Sequence, residues 1–229
     1  MPTALITGAG RGIGRELAVT LAAQGWQVLA GVRDPLAAPA GTRAERVDMA
    51  DPESIEALAR RLRDRAQTLD ALVNNAAVYE QARRLIWEVN VLGPLRLTLA
   101  LEGLLAPGAR VVMVTSGLGS LSAQPPELVR RLGAPGLSLD DLDSMAREAP
   151  GGYGASKAAL TAMARLFADR LRDRGILVNA ISPGWVRSDM GGANAPRSLR
   201  QGAASLLWGV QLPADGPSGG CFEDGLPLE

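Results

Sequence analysis

The chain has 229 residues, 24 basic and 24 acidic side chains that cancel, and 47% apolar residues. That predicts one well-cored domain over 1–229 and excludes a disordered chain or a nucleic-acid binder with a basic footprint. Histidine is absent and Cys221 is the single cysteine, so a Ser-His-Asp hydrolase and an internal disulfide are excluded and no metal is expected.

From the start, Ala4 to Thr7 is a short apolar strand. Gly8-Ala9-Gly10-Arg11-Gly12-Ile13-Gly14 follows directly, then a helical run from Arg15 to Gln24 stopped by Gly25. Strand, glycine loop and helix in that order form a dinucleotide cradle: glycines admit a pyrophosphate close to the backbone, and the helix start offers free N–H groups. A second strand, Gln27 to Val32, ends at Arg33-Asp34. An arginine here accommodates a ribose 2′-phosphate and a carboxylate grips a 2′-OH. Arg33 and Arg11 together favour NADP(H), while Asp34 leaves NAD(H) open.

Arg46-Val47-Asp48-Met49 ends a third strand, and Pro52 to Arg65 is an amphipathic helix with a solvated arginine face. Leu69 to Val73 is a strand running into Asn74-Asn75-Ala76-Ala77, and Ile86 to Leu105 is one long helical run carrying Asn90 among apolar residues. Arg110 to Thr115 is the strongest strand and closes at Ser116. Residues 118–152 then break the rhythm with Pro125, Pro126, Pro135 and Pro150, and hold two predicted helices, Pro126 to Leu132 and Leu139 to Glu148, the second led by a Ser138-Asp141 capping box.

Tyr153 and Lys157 open the next helix four residues apart, hence on one face. Lys157 is the only lysine; the other basic residues are all arginine. A compact ammonium beside a phenol favours the phenolate and is expected to pull the tyrosine's pKa down toward neutrality. Leu177 to Ile181 is a further strand, turning at Pro183-Gly184; Leu199 to Val210 is a last helix, Gly220 to Phe222 an edge strand, and the final residues should fray. The alternation predicts an α/β fold, a doubly wound parallel sheet of seven strands with helices on both faces. No run nears the ~20 apolar residues of a membrane span, and no leader precedes the first strand, so a soluble cytoplasmic protein with no membrane partner is expected.

In this order the residues resemble the short-chain dehydrogenase/reductase family (SDR, a Rossmann fold) over essentially the whole chain. Thr7-Gly8, Gly12 and Gly14 resemble its T-G-x-x-x-G-x-G loop, Asp48-Met49 its adenine pair, and Asn74-Asn75-Ala76 its Asn-Asn-Ala-Gly turn, with Ala77 in place of the last glycine. Asn90, Ser116, Tyr153 and Lys157 match its catalytic tetrad. The run from Pro183-Gly184 through Val186 and Ser188 to Gly191, the segment Leu212 to Gly220, and the 118–152 insert are similar to the carbonyl reductase branch.

The resemblance implies NADPH-dependent reduction of a ketone or aldehyde. Ser116 would bind the carbonyl oxygen, Tyr153 would give it a proton, Lys157 would tune Tyr153 and hold the nicotinamide ribose, and Asn90 would hold a relay water through its backbone. Thr7, Gly8, Arg11, Gly12, Ile13, Gly14, Arg33, Asp48, Met49, Asn74, Asn75, Ala76, Pro183, Gly184, Val186 and Ser188, with Tyr153 and Lys157, would hold the cofactor. Alcohol oxidation and a non-catalytic NADP-binding redox sensor are the alternatives; the complete tetrad speaks against the sensor. The insert should cover the substrate site or a helix face that relatives use for assembly, which favours a monomer and leaves a dimer open. The segment from Asn75 to Asn90 is shorter than the family's, so the helix bearing Asn90 is expected to begin differently.

Overall fold

The computed structural model describes residues 1–228. Its strands are β1 (Thr3–Thr7), β2 (Gln27–Val32), β3 (Arg43–Arg46), β4 (Leu69–Asn74), β5 (Leu105–Val114), β6 (Leu177–Ser182), β7 (Cys221–Glu223) and β8 (Leu226–Pro227). They form one sheet in the order β3-β2-β1-β4-β5-β6-β7-β8. All neighbours are parallel except β8, which folds back antiparallel on β7.

Alternate residues of each central strand face opposite layers, as the two-residue strand period requires. Leu5, Leu72, Val111 and Val178 face a layer that includes α2 (Pro52–Asp64), α4 (Gly93–Leu101) and α7 (Tyr153–Arg170). Ile6, Val73, Val112 and Ile181 face α1 (Gly12–Ala23) and α8 (Leu199–Val210). Helices on both faces bury the central strands β1, β2, β4 and β6, which is why these are nearly unbroken apolar runs. Three shorter helices, α3 (Arg83–Trp87), α5 (Pro126–Leu132) and α6 (Leu139–Glu148), pack beside the α7 layer. Strand order reverses between β1 and β4, and their C-terminal ends open the crevice where such sheets take ligands. No helix among the described residues is long and apolar enough to cross a membrane.

The doubly wound sheet is as expected, but it has eight strands rather than seven. Leu226–Pro227 pairs with β7, so Cys221–Glu223 is not the edge and the last described residues do not fray. The third strand stops at Arg46, short of Asp48-Met49. The fifth starts earlier than Arg110, because a Pro107-Gly108 excursion sits inside it and shifts its register against β4.

The predicted helix from Ile86 to Leu105 is broken. It runs as α3, a π-helical turn over Glu88–Leu92, α4 and a 3-10 turn over Glu102–Leu104. Pro94 supplies the reason: it has no N–H to give the Asn90 carbonyl in the ordinary helical pattern, and Gly93 N–H instead reaches five residues back to Glu88 O.

Candidate active site

The first turn of α7 carries the central pair. Lys157 is 2% exposed and its Nζ lies 5.4 Å from the centre of the Tyr153 ring. That ammonium donates to Val114 O at 2.7 Å, which leaves two of its three donors without a partner among the described residues. The Ser116 hydroxyl, just beyond β5, lies near enough to the Tyr153 phenol to favour its ionised form and accepts from Leu118 N–H at 3.3 Å. Ser116 starts the turn Gly117–Gly119, which lies directly against α7. A Cβ on Gly119 would come within 2.8 Å of Lys157 Cβ, so only glycine lets the serine approach the tyrosine this closely.

Burial decides the electrostatics. It pushes the Tyr153 phenol up to about 12, with Ser116 pulling the other way and Tyr79 adding a smaller upward push. It also pushes Lys157 down to about 7. The expected lowering of the tyrosine by its lysine is therefore overturned in the free chain. Both charged forms lose water, and the ammonium is aimed at a backbone carbonyl rather than at the phenol. Tyr153 stands protonated at neutral pH, as a donor.

Asn90 is fully buried on the π turn and holds three groups. Its Oδ1 accepts from Val78 N–H at 2.9 Å, and its Nδ2 donates to Val78 O at 3.0 Å and to Ser156 Oγ at 3.1 Å. Ser156 Oγ in turn donates to Tyr153 O at 2.7 Å. The asparagine side chain thus ties the segment after β4 to the start of α7. Trp87 adds a second tie, its indole N–H donating to Gly151 O at 2.9 Å.

The crevice around β1 fits a dinucleotide. Arg11, the cap of α1, makes no side-chain bond to the helix start, and no acidic residue lies in the first turn. The amides of Gly12, Ile13 and Gly14 therefore face outward with the positive end of the helix dipole, an arrangement suited to a pyrophosphate. Gly14 is pressed against β1 and β4: a Cβ there would sit 2.6 Å from Gly8 O. Thr7 Oγ1 accepts from the amides of Asn75 and Ala76 at 3.0 Å each, and Asn75 Nδ2 donates to Thr7 O at 2.8 Å, which fixes the loop floor.

Beyond β2, Arg33 is exposed and makes no ion pair among the described residues. Asp34 instead caps its own turn, accepting from Leu36 N–H at 3.0 Å. That engages one oxygen of the carboxylate that kept NAD(H) open. Arg11 reaches across to Asp189 at 2.9 Å, on the loop after β6 that also carries Pro183, Gly184, Val186 and Ser188. Ser188 Oγ braces that loop, accepting from Gly191 N–H at 3.1 Å.

Two of the expected cofactor residues turn inward. Asn74 points its side chain at Thr98 Oγ1 and Met113 Sδ, in the core, so only its backbone faces the crevice. Met49 is buried against Gly93, while neighbouring Asp48 accepts from Ala50 N–H at 3.0 Å. The sequence reading passed over Tyr79, Trp87, Ser156 and Gly119. Of these only Tyr79 carried a signal, as the one tyrosine besides Tyr153.

Comparison with known proteins follows the same lines. The family described as short chain dehydrogenase matches residues 2–125, and the one described as Enoyl-(Acyl carrier protein) reductase matches residues 140–207. Carbonyl reductase [NADPH] 1 of Sus scrofa is 32% identical, the match covering 99% of this chain and 93% of that protein. Among solved structures, salutaridine reductase from Papaver somniferum superposes with a TM-score of 0.84 at 23% identity, covering 98% of this chain and all of that one. A short chain dehydrogenase from Burkholderia cenocepacia in complex with NADP gives 0.74 at 25% identity, covering 98% and 97%.

Proposed function

The chain belongs to the short chain dehydrogenase family, and from that membership we propose that it is an NADPH-dependent carbonyl reductase acting on a small ketone or aldehyde. The observation that carries the reading is the Tyr153 phenol, set near Ser116 and beside the buried Lys157 at the C-terminal mouth of the sheet. NADPH, when bound, supplies the hydride that reduces the carbonyl carbon.

Ser116 and Tyr153 hold the carbonyl oxygen, and the phenol gives that oxygen its proton as negative charge develops there. Burial keeps the phenol protonated until that moment. Lys157 would offer its two spare donors to the nicotinamide ribose hydroxyls and its charge to the tyrosinate left after transfer. The Asn90 carbonyl, released from the regular helical pattern by Pro94, would hold a water that returns a proton toward Lys157.

The amides of Gly12, Ile13 and Gly14 would take the pyrophosphate, and Arg11 and Arg33 the 2′-phosphate. Asp48 would meet the adenine, and the loop with Gly184, Val186 and Ser188 the nicotinamide side. A cytoplasmic setting is part of the same proposal.

We also propose that the protein works as a monomer. Its 118–152 insert lies on α7, with Leu128, Leu132, Leu142, Met145 and Ala146 joining the same core cluster as the α7 side chains. None of the exposed large apolar residues belongs to α5, α6 or α7, so those helices offer no apolar face to a second copy.

The functional reading is tested by following NADPH and NADH oxidation with a panel of activated ketones, aldehydes and quinones. Turnover should be seen with NADPH and be far weaker with NADH. Arg33→Ala should narrow that preference roughly ten- to a hundredfold, the scale of lost charge-assisted hydrogen bonds. No carbonyl-dependent oxidation of either cofactor across the panel would contradict the reading.

A further inference from the structure

Tyr79 stands outside every role assigned so far, yet its ring meets the Tyr153 ring. The centroids are 5.0 Å apart and the planes 88° from parallel, the edge-to-face arrangement that aromatic pairs prefer. Two constraints set it there. Asn90 grips both main-chain groups of Val78, the residue before it. Glu80, the residue after it, has φ 53°, a left-handed conformation that is unfavourable for a non-glycine residue and persists only where the surroundings impose it. A short, sharply turned segment between β4 and α3 therefore delivers one ring against another. Tyr79 itself stays 38% exposed, so it is no core residue that packing alone would demand.

We propose that Tyr79 is a positioning residue for the reaction: its ring, packed edge-to-face with that of Tyr153, holds the phenol toward Ser116 and screens it from water on the open side of the cleft. This rests on the reading of Tyr153 as proton donor. Without the Tyr79 ring, the phenol gains rotational freedom and solvent. The burial that pushes Tyr153 upward is then reduced, so its proton is lost at lower pH.

The test compares wild type with Tyr79→Ala, Tyr79→Leu, Tyr79→Phe and Tyr153→Phe, using the carbonyl compound turned over fastest. The readouts are the pH profile of kcat, the NADPH Kd by fluorescence, and Tm. Tyr79→Ala and Tyr79→Leu should each lose roughly ten- to a hundredfold in kcat, the scale of a misplaced catalytic group. Their alkaline limb should move to lower pH, while NADPH Kd stays within about twofold. Tyr79→Phe keeps the ring and should restore most of kcat and the wild-type limb. A wild-type kcat in Tyr79→Leu, or a lower Tm with an unmoved pH profile, overturns the proposal while an inactive Tyr153→Phe leaves the donor assignment standing. Full turnover in Tyr153→Phe removes the donor assignment and Tyr79's role with it.

Discussion

Lys157 is costly to bury, and the cost has a pH signature. Its pKa falls from 10.5 to about 7 because burial disfavours the ammonium. The unfolded chain thus binds a proton that the folded chain releases between about pH 7 and 10.5, so stability rises with pH across that window and the full penalty stands below pH 7. Lys157→Met should accordingly raise the Tm of the cofactor-free protein at pH 6, by roughly 2–5 kcal/mol of stability, and abolish turnover. The gain should shrink as pH climbs toward 10; a gain independent of pH, or a loss at pH 6, would show that the ammonium is not the strained group. Lys157→Arg should also lose activity, since a planar guanidinium does not fit a site shaped for a point charge. The pair itself was legible in the sequence, because an i, i+4 spacing is local and a lone lysine among arginines stands out. The direction of the Tyr153 shift was not, because burial sums over neighbours that only the tertiary fold assembles.

At the scale of elements, the site depends on where helices fail. The π turn over Glu88–Leu92 turns the fully buried Asn90 toward Val78 and Ser156. Asn90→Ala would leave the Val78 amide and carbonyl without these partners, at a cost of about 1–3 kcal/mol per stranded group. Hydrogen exchange at Val78 and a fall in kcat should report it together, and unchanged protection at Val78 would contradict the assignment. The cause of the break, Pro94 four residues beyond Asn90, lies in the sequence, yet apolar periodicity ran straight through it and predicted one helix. Where a helix carried explicit end signals the bounds came out as expected: α5, α6 and α8 match, and the Ser138-Asp141 capping box is formed. Strand ends were less legible, since β8 pairs through only two residues and no side-chain alternation marks so short a piece.

For the whole molecule, the insert links fold to assembly. Residues 118–152 were legible as an excursion from their prolines, but where they dock was not, because apolar stripes do not name their partner. With α6 burying Leu142 and Met145 completely, light scattering after size exclusion should give a monomer mass at micromolar concentration, and Met145→Asp should expose apolar surface and cause self-association or unfolding. A clean tetramer mass for the wild type would contradict the covering role. The order of motifs from Thr7 to Ser188 was readable, since each is a short local pattern at a strand end or on a helix. The inward turn of Asn74 was not, because it depends on Thr98 and Met113 from other elements.

Turnover of Tyr153→Phe under saturating NADPH and carbonyl compound, with NADPH Kd alongside, bears on the proton donor itself. Loss of the proton donor predicts kcat reduced by roughly 10²–10⁴-fold with the cofactor still bound as tightly as in the wild type. Turnover close to wild type would show that the proton comes from elsewhere and would contradict the mechanism.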